Sequence, residues 1–149
     1  MRKVLLAIMI VLGLLFCDWG TDNVAWATAS SIVKTSSIDY GQGYSKVTIT
    51  CTGDSTNGTF TSTSLPVPVG WITRVETNPG SPAPDSNYDI TLTNANGLDM
   101  AQGNLANRSA TVTQFIETVN WQTDGSLTVN ISGNTVNSAI IVIEVYIGR

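Results

Sequence analysis

The chain has no histidine, and only 12% of its 149 residues are charged, about half of the usual ~25%. Without histidine the commonest general base is missing, and with it the Ser-His-Asp and Cys-His catalytic arrangements and most zinc sites. Seven basic residues against eleven acidic ones leave a net charge of -4, and no basic cluster occurs beyond Arg2 and Lys3. Nucleic-acid binding, which needs clustered Lys and Arg, is therefore not expected. The acidic residues are scattered and never form the alternating run of a calcium loop. Asp85, Asp89 and Asp99 could share a cation, but they read more simply as solvated loop carboxylates. No acid/base pair for glycoside hydrolysis stands out. The expectation is a non-enzymatic protein with no catalytic, metal-binding or cofactor-binding residues.

In place of charge there are hydroxyls: 34 of the residues are serine or threonine. The length suits a single domain. Arg2 and Lys3 precede an apolar run from Val4 to Phe16, shorter than the ~20 residues needed to cross a bilayer core. This has the form of a secretory signal, with small residues at Ala25 and Ala27 placing cleavage before Thr28. The expected organisation is a signal peptide over 1–27 and one domain over 28–149, with contact to a membrane only through the N-terminal segment. The expected location is the periplasm, the cell surface or the extracellular space. Lipidation at Cys17 is the rival, weakened by bulky Phe16 just before it. Cleavage would leave Cys51 as the one thiol, too few for an intrachain disulfide. Val47, Ile49 and Cys51 alternate with threonines, so Cys51 is expected to be a small core hydrophobe.

The same two-residue period recurs in Tyr88 to Thr93 and in Ser126 to Ser132. These are expected to be antiparallel strands with one buried face. Further strand candidates are Ser31 to Ser36, Gly58 to Ser64, Val69 to Thr77 and Thr111 to Glu117, and no amphipathic helix competes with them. Asn57-Gly58, Asn96-Gly97 and Asp124-Gly125 supply turns between the runs. About eight short strands specify a single antiparallel, jelly-roll-like β-sandwich. Its expected core is Val47, Ile49, Ile90, Leu92, Leu127, Val129, Ile141, Ile143 and Val145. All five prolines fall between Pro66 and Pro84, giving an extended crossing at Leu65–Pro68 and an ordered, hydrogen-bond-poor loop at Asn78–Asp85.

The last run, Ser138 to Ile147, is apolar on both faces. With Ile141, Ile143, Val145 and Ile147 inward, Ile140, Val142 and Tyr146 flank Glu144 on the side that should meet water. A loop of the chain or a second subunit should cover them, so these three are the candidate interface of a homo-oligomer. Tyr40, Tyr44, Trp71 and Trp121 could stack on sugar rings. Trp121, between Asn120 and Gln122, is the foremost candidate glycan contact. Sequons at Asn57, Asn107 and Asn130 occur at the frequency chance predicts and carry no information.

Gly70-Trp71-Ile72-Thr73-Arg74-Val75, the proline-rich loop, Tyr88-Asp89-Ile90-Thr91-Leu92-Thr93, Gly97-Leu98-Asp99 and Ala106-Asn107, followed by an apolar terminal strand, form an ordered set. From about Lys46 to Arg149 the chain resembles small proteins encoded among tailed-bacteriophage and prophage structural genes. The resemblance implies a virion-type β-sandwich, a decoration or accessory structural protein with no catalytic residues. Virion proteins assemble in the cytoplasm, so a secretion leader implies a phage-derived domain that a cell exports or a phage product made for the envelope, whereas a misplaced start would leave a virion component. The expected function is a structural or interaction module that self-associates or joins a phage or cell-surface assembly. The alternative is a secreted carbohydrate-binding module.

Overall fold

The structure is a computed structural model that describes residues 28–41 and 43–148. The segment over 1–27, expected to be a signal peptide and including Cys17, lies outside the described residues. Eight strands form: β1 (Ser31–Gly41), β2 (Tyr44–Thr52), β3 (Thr63–Pro66), β4 (Gly70–Pro79), β5 (Asp89–Thr93), β6 (Gln114–Thr123), β7 (Ser126–Ser132) and β8 (Ile140–Gly148). They make a five-stranded sheet in the order β1-β2-β8-β4-β6 and a three-stranded sheet in the order β3-β7-β5, with every pairing antiparallel. After the β1-β2 hairpin each connection crosses from one sheet to the other. That alternation is jelly-roll topology. The segment 94–113 takes the place of a further strand beside β5, touching it through the isolated bridge Thr93–Asp99.

All nine residues expected in the core are buried there, joined by Ile32, Cys51, Ile72, Val75, Tyr88 and Ile147 among others. The two-residue period explains this directly, because β2 and β8 each present alternate residues to the opposite sheet. β8 is the middle strand of the larger sheet, which accounts for its run of isoleucine and valine.

Two strands start later than expected, β1 and β4 run on to Gly41 and Pro79, and one loop is better bonded. The strand expected at Gly58–Ser64 begins only at Thr63, because Asn57 and Asp54 take the preceding backbone into side-chain-bonded turns. Gly58 there has a φ of 71° and lies against the Thr135 backbone, leaving no room for a Cβ. The strand expected at Thr111–Glu117 starts at Gln114 and continues through Trp121 to Thr123. Ser109 Oγ instead accepts the amides of Thr111 and Val112. The proline-rich loop is better bonded than proline content suggests. Gly80 N donates to Ile140 O at 2.7 Å and Ile140 N to Pro82 O at 2.8 Å, prolonging the β4-β8 contact past the end of β4.

Two crossings run side by side, 67–69 between β3 and β4 and 124–125 between β6 and β7. The buried Thr123 hydroxyl staples them, donating to Pro68 O at 2.5 Å and accepting from Gly70 N at 3.1 Å. Arg108, also buried, donates through Nε to Thr77 Oγ1 at 3.2 Å and through Nη1 to Asn104 O at 3.3 Å. It thereby ties the 94–113 segment to β4, and burial lowers its pKa.

Candidate functional site

The two outward faces of the sandwich differ in chemistry. On the smaller sheet the outward residues are hydroxyls and amides such as Ser64, Thr91, Thr128 and Asn130, with Asp89 and Pro66 at the margins. The larger sheet carries Tyr44, Trp71, Phe115 and Tyr146 outward, together with Lys46, Arg74 and all three glutamates of the chain, Glu76, Glu117 and Glu144. Tyr40 stands near the end of β1, beside the hairpin to β2.

Strand register sets these side chains in rows across the sheet. One row runs Tyr44, Gly148, Trp71, Gln122 on β2, β8, β4 and β6. The next runs Ile38, Lys46, Tyr146, Arg74, Glu117 from β1 to β6. A third contains Thr48, Glu144, Glu76 and Phe115. Glu144 and Glu76 stand directly opposite each other, an arrangement that like charges disfavour. Each is paired with a cation, Glu144 across the β2-β8 seam and Glu76 along its own strand. Lys46 Nζ lies 2.9 Å from Glu144 Oε1, and Arg74 Nη2 lies 2.9 Å from Glu76 Oε2. Arg74 is also 3.7 Å from Glu117 and rests over the Phe115 ring, 4.3 Å from its centre. The Tyr146 hydroxyl donates to Glu144 Oε2 at 3.1 Å. The bond to Glu144 raises the Lys46 pKa, while burial, followed by the bond to Glu144, raises that of Tyr146.

The candidate interface residues Ile140, Val142 and Tyr146 all lie on this face, each half-buried. They do not form a continuous apolar patch. The chain itself covers Ile140, whose side chain would meet a Cβ on Gly80 at 2.6 Å. Val142 lies between Thr50 and Asn78, and Tyr146 between Lys46 and Arg74.

Trp121 does not stand free as the sequence suggests. It is partly buried and packs against the core from edge strand β6, yet it lines an open pocket of about 270 Å³ with Asn94, Leu98, Met100, Gln102 and Gln122. The pocket wall is held by Asp99, which accepts Ala101 N at 2.9 Å and Gly103 N at 2.8 Å. Gln102 between them has a φ of 46°, a conformation that costs a non-glycine residue energy and must be imposed by its surroundings. Among the sugar-platform candidates the more exposed are Tyr40, Tyr44 and Trp71, at 58%, 49% and 48%. Phe115 and the ion-pair network were not singled out in the sequence, because rows joining residues so far apart in the chain leave no local pattern.

Asp85, Asp89 and Asp99 do not converge. Asp85 binds Thr135, Asp89 binds Asn107 N, and Asp99 binds its own turn. Among the described residues no three of His, Cys, Asp and Glu gather to hold a metal ion. Cys51 is buried, and desolvation pushes its thiol up to about 12.

No family model, curated protein or solved structure matches the chain.

Proposed function

We propose that the protein is a non-enzymatic interaction module that works through the outward face of its larger sheet. The observation that carries this reading is the segregation of side chains: the larger sheet gathers Tyr, Trp, Phe and Arg, the types enriched where proteins meet partners. The smaller sheet's outward face has none of them. The motif resemblance adds the phage-type role, a decoration or accessory structural protein or an exported derivative of one. Jelly rolls serve both capsids and lectins, so the fold supports an assembly role and a glycan-binding role equally.

The mixed character of the face fits a reversible contact better than an obligate one, since obligate interfaces are the more hydrophobic. Self-association is tested by sedimentation velocity at high micromolar concentration, comparing the wild type with Val142→Asp/Tyr146→Ser. Association lost in a variant that keeps its sheet spectrum supports assembly through this face. A monomeric wild type removes self-association and leaves the face to an unlike partner.

A further inference from the structure

The row Tyr44, Gly148, Trp71, Gln122 has a feature the other rows lack: its second position has no side chain. The strand positions that bear the two exposed rings stand two strand spacings apart, about 10 Å, with Gly148 as the floor between them. A Cβ placed on Gly148 would lie 3.8 Å from the tip of the Tyr44 ring and 3.6 Å from Thr73 Cγ2. The Tyr44 ring thus leans toward Gly148, and with Thr73 it bounds the floor of the row. Gln122 ends the row and also lines the pocket at the sheet edge. The row and the pocket form one continuous track, with rings first, then an amide, then a recess containing Trp121, Leu98 and Gln102.

Resting on the reading of this face as the working surface, we propose that the track binds an uncharged linear oligosaccharide, with rings stacked on Tyr44 and Trp71 and one end in the pocket beside Trp121. Three properties select this class of ligand. Sugar rings present apolar faces that suit exposed aromatics, and their hydroxyls suit the amides of Gln102 and Gln122. The two neighbouring cations, Lys46 and Arg74, are already paired with glutamates, and the three glutamates leave one negative charge in excess, so the track offers no uncommitted cation to an acidic ligand. A narrow glycan in the first row leaves those ion pairs in water.

The test is a titration of the full chain with linear hexasaccharides of the gluco, xylo, manno and N-acetylglucosamine series, read by calorimetry and tryptophan fluorescence. Saturable binding to at least one series is expected, at micromolar to low millimolar strength. Trp71→Ala and Tyr44→Ala should each weaken it about tenfold. Gly148→Val should abolish it while retaining both rings, because it fills the floor. Thr128→Ala, on the opposite face, should leave it unchanged. A melting temperature and sheet spectrum close to wild type qualify each variant, and Trp71→Ala, at an exposed site, serves if Gly148→Val does not fold. Absence of binding in all four series, or binding that survives both Gly148→Val and Trp71→Ala, overturns the proposal. Either result leaves the sedimentation outcome intact, so failure of the glycan track is distinguishable from failure of the interaction face.

Discussion

Cys51 is an instance where a residue's neighbours in sequence state its role. Its strand alternates, no cation adjoins it in sequence, and in the fold it is buried with its thiol pushed up to about 12. A thiol reagent at pH 8 should therefore label Cys51 of the native protein only through transient opening, and label it at once in denaturant. Rapid labelling of Cys51 in the folded chain, read by peptide mapping, would contradict this burial. Arg108 is the opposite instance. A lone arginine in a loop gives no sign that it is buried, since its partners Thr77 and Asn104 come from separate segments. Lys46 lies between these extremes: alternation puts it outward, but register alone supplies Glu144. Because that bond raises the folded-state pKa above the ordinary 10.5, its contribution to stability is complete below that value and is lost as pH rises through the higher folded value. Thermal melts from pH 9 to 12 should show a steeper alkaline decline in the wild type than in Lys46→Met. Equal slopes would mean that the ion pair adds nothing.

Strands with one strictly buried face, β2, β5 and β7, are legible in the sequence because a period of two needs no knowledge of partners. The edge strand β6 is harder to read: its register against β4 shifts between Glu117 and Trp121, which breaks the two-residue period, and the segment through Trp121 passes for a loop. That is why Trp121 stands first among the glycan-contact candidates although its strand turns it toward the core. The turn at Gly58 and the 85–135 link show how connections hold the strands. Asp85 accepts Thr135 N at 2.6 Å and Thr135 Oγ1 at 2.7 Å, while Asn134 Oδ1 accepts Asp85 N at 2.9 Å. The bonds from the Thr135 hydroxyl and amide hold the Asp85 carboxyl below the usual carboxylate range. A depressed pKa stabilises the fold above the unfolded value, about 3.9, and this contribution disappears as pH falls through the lower folded value. Asp85→Asn should lower the melting temperature at pH 7 and make the acid limb below pH 4 shallower. An unchanged acid limb would show that the link carries no stability.

On the scale of the whole molecule, fold class and core follow from the sequence because both depend on periodicity summed over many residues. Strand order does not, because nothing local records that β8 lies between β2 and β4. Only that placement brings Tyr44, Gly148 and Trp71 into one row, so the candidate site becomes visible at the same step as the topology. The placement also ranks positions energetically. Ile143, on the central strand with its side chain fully buried, faces the opposite sheet, and the close-packed interior can relax only partly around a deletion. Ile143→Ala should therefore cost about 2–5 kcal/mol, the transfer and cavity contributions acting together. Asn130 lies outward on the smaller sheet, where its amide makes only a long 3.5 Å contact with Thr91. Asn130→Ala should stay within about 0.5 kcal/mol of wild type. Urea unfolding is the appropriate comparison. A loss of stability in Ile143→Ala at unchanged m would place the deficit in the native packing, and a changed m would place part of it in the compactness of the denatured chain. If the two variants cost the same, the sandwich would not owe its stability to the seam between its sheets, and the assignment of one face to packing and the other to partners would lose its physical basis.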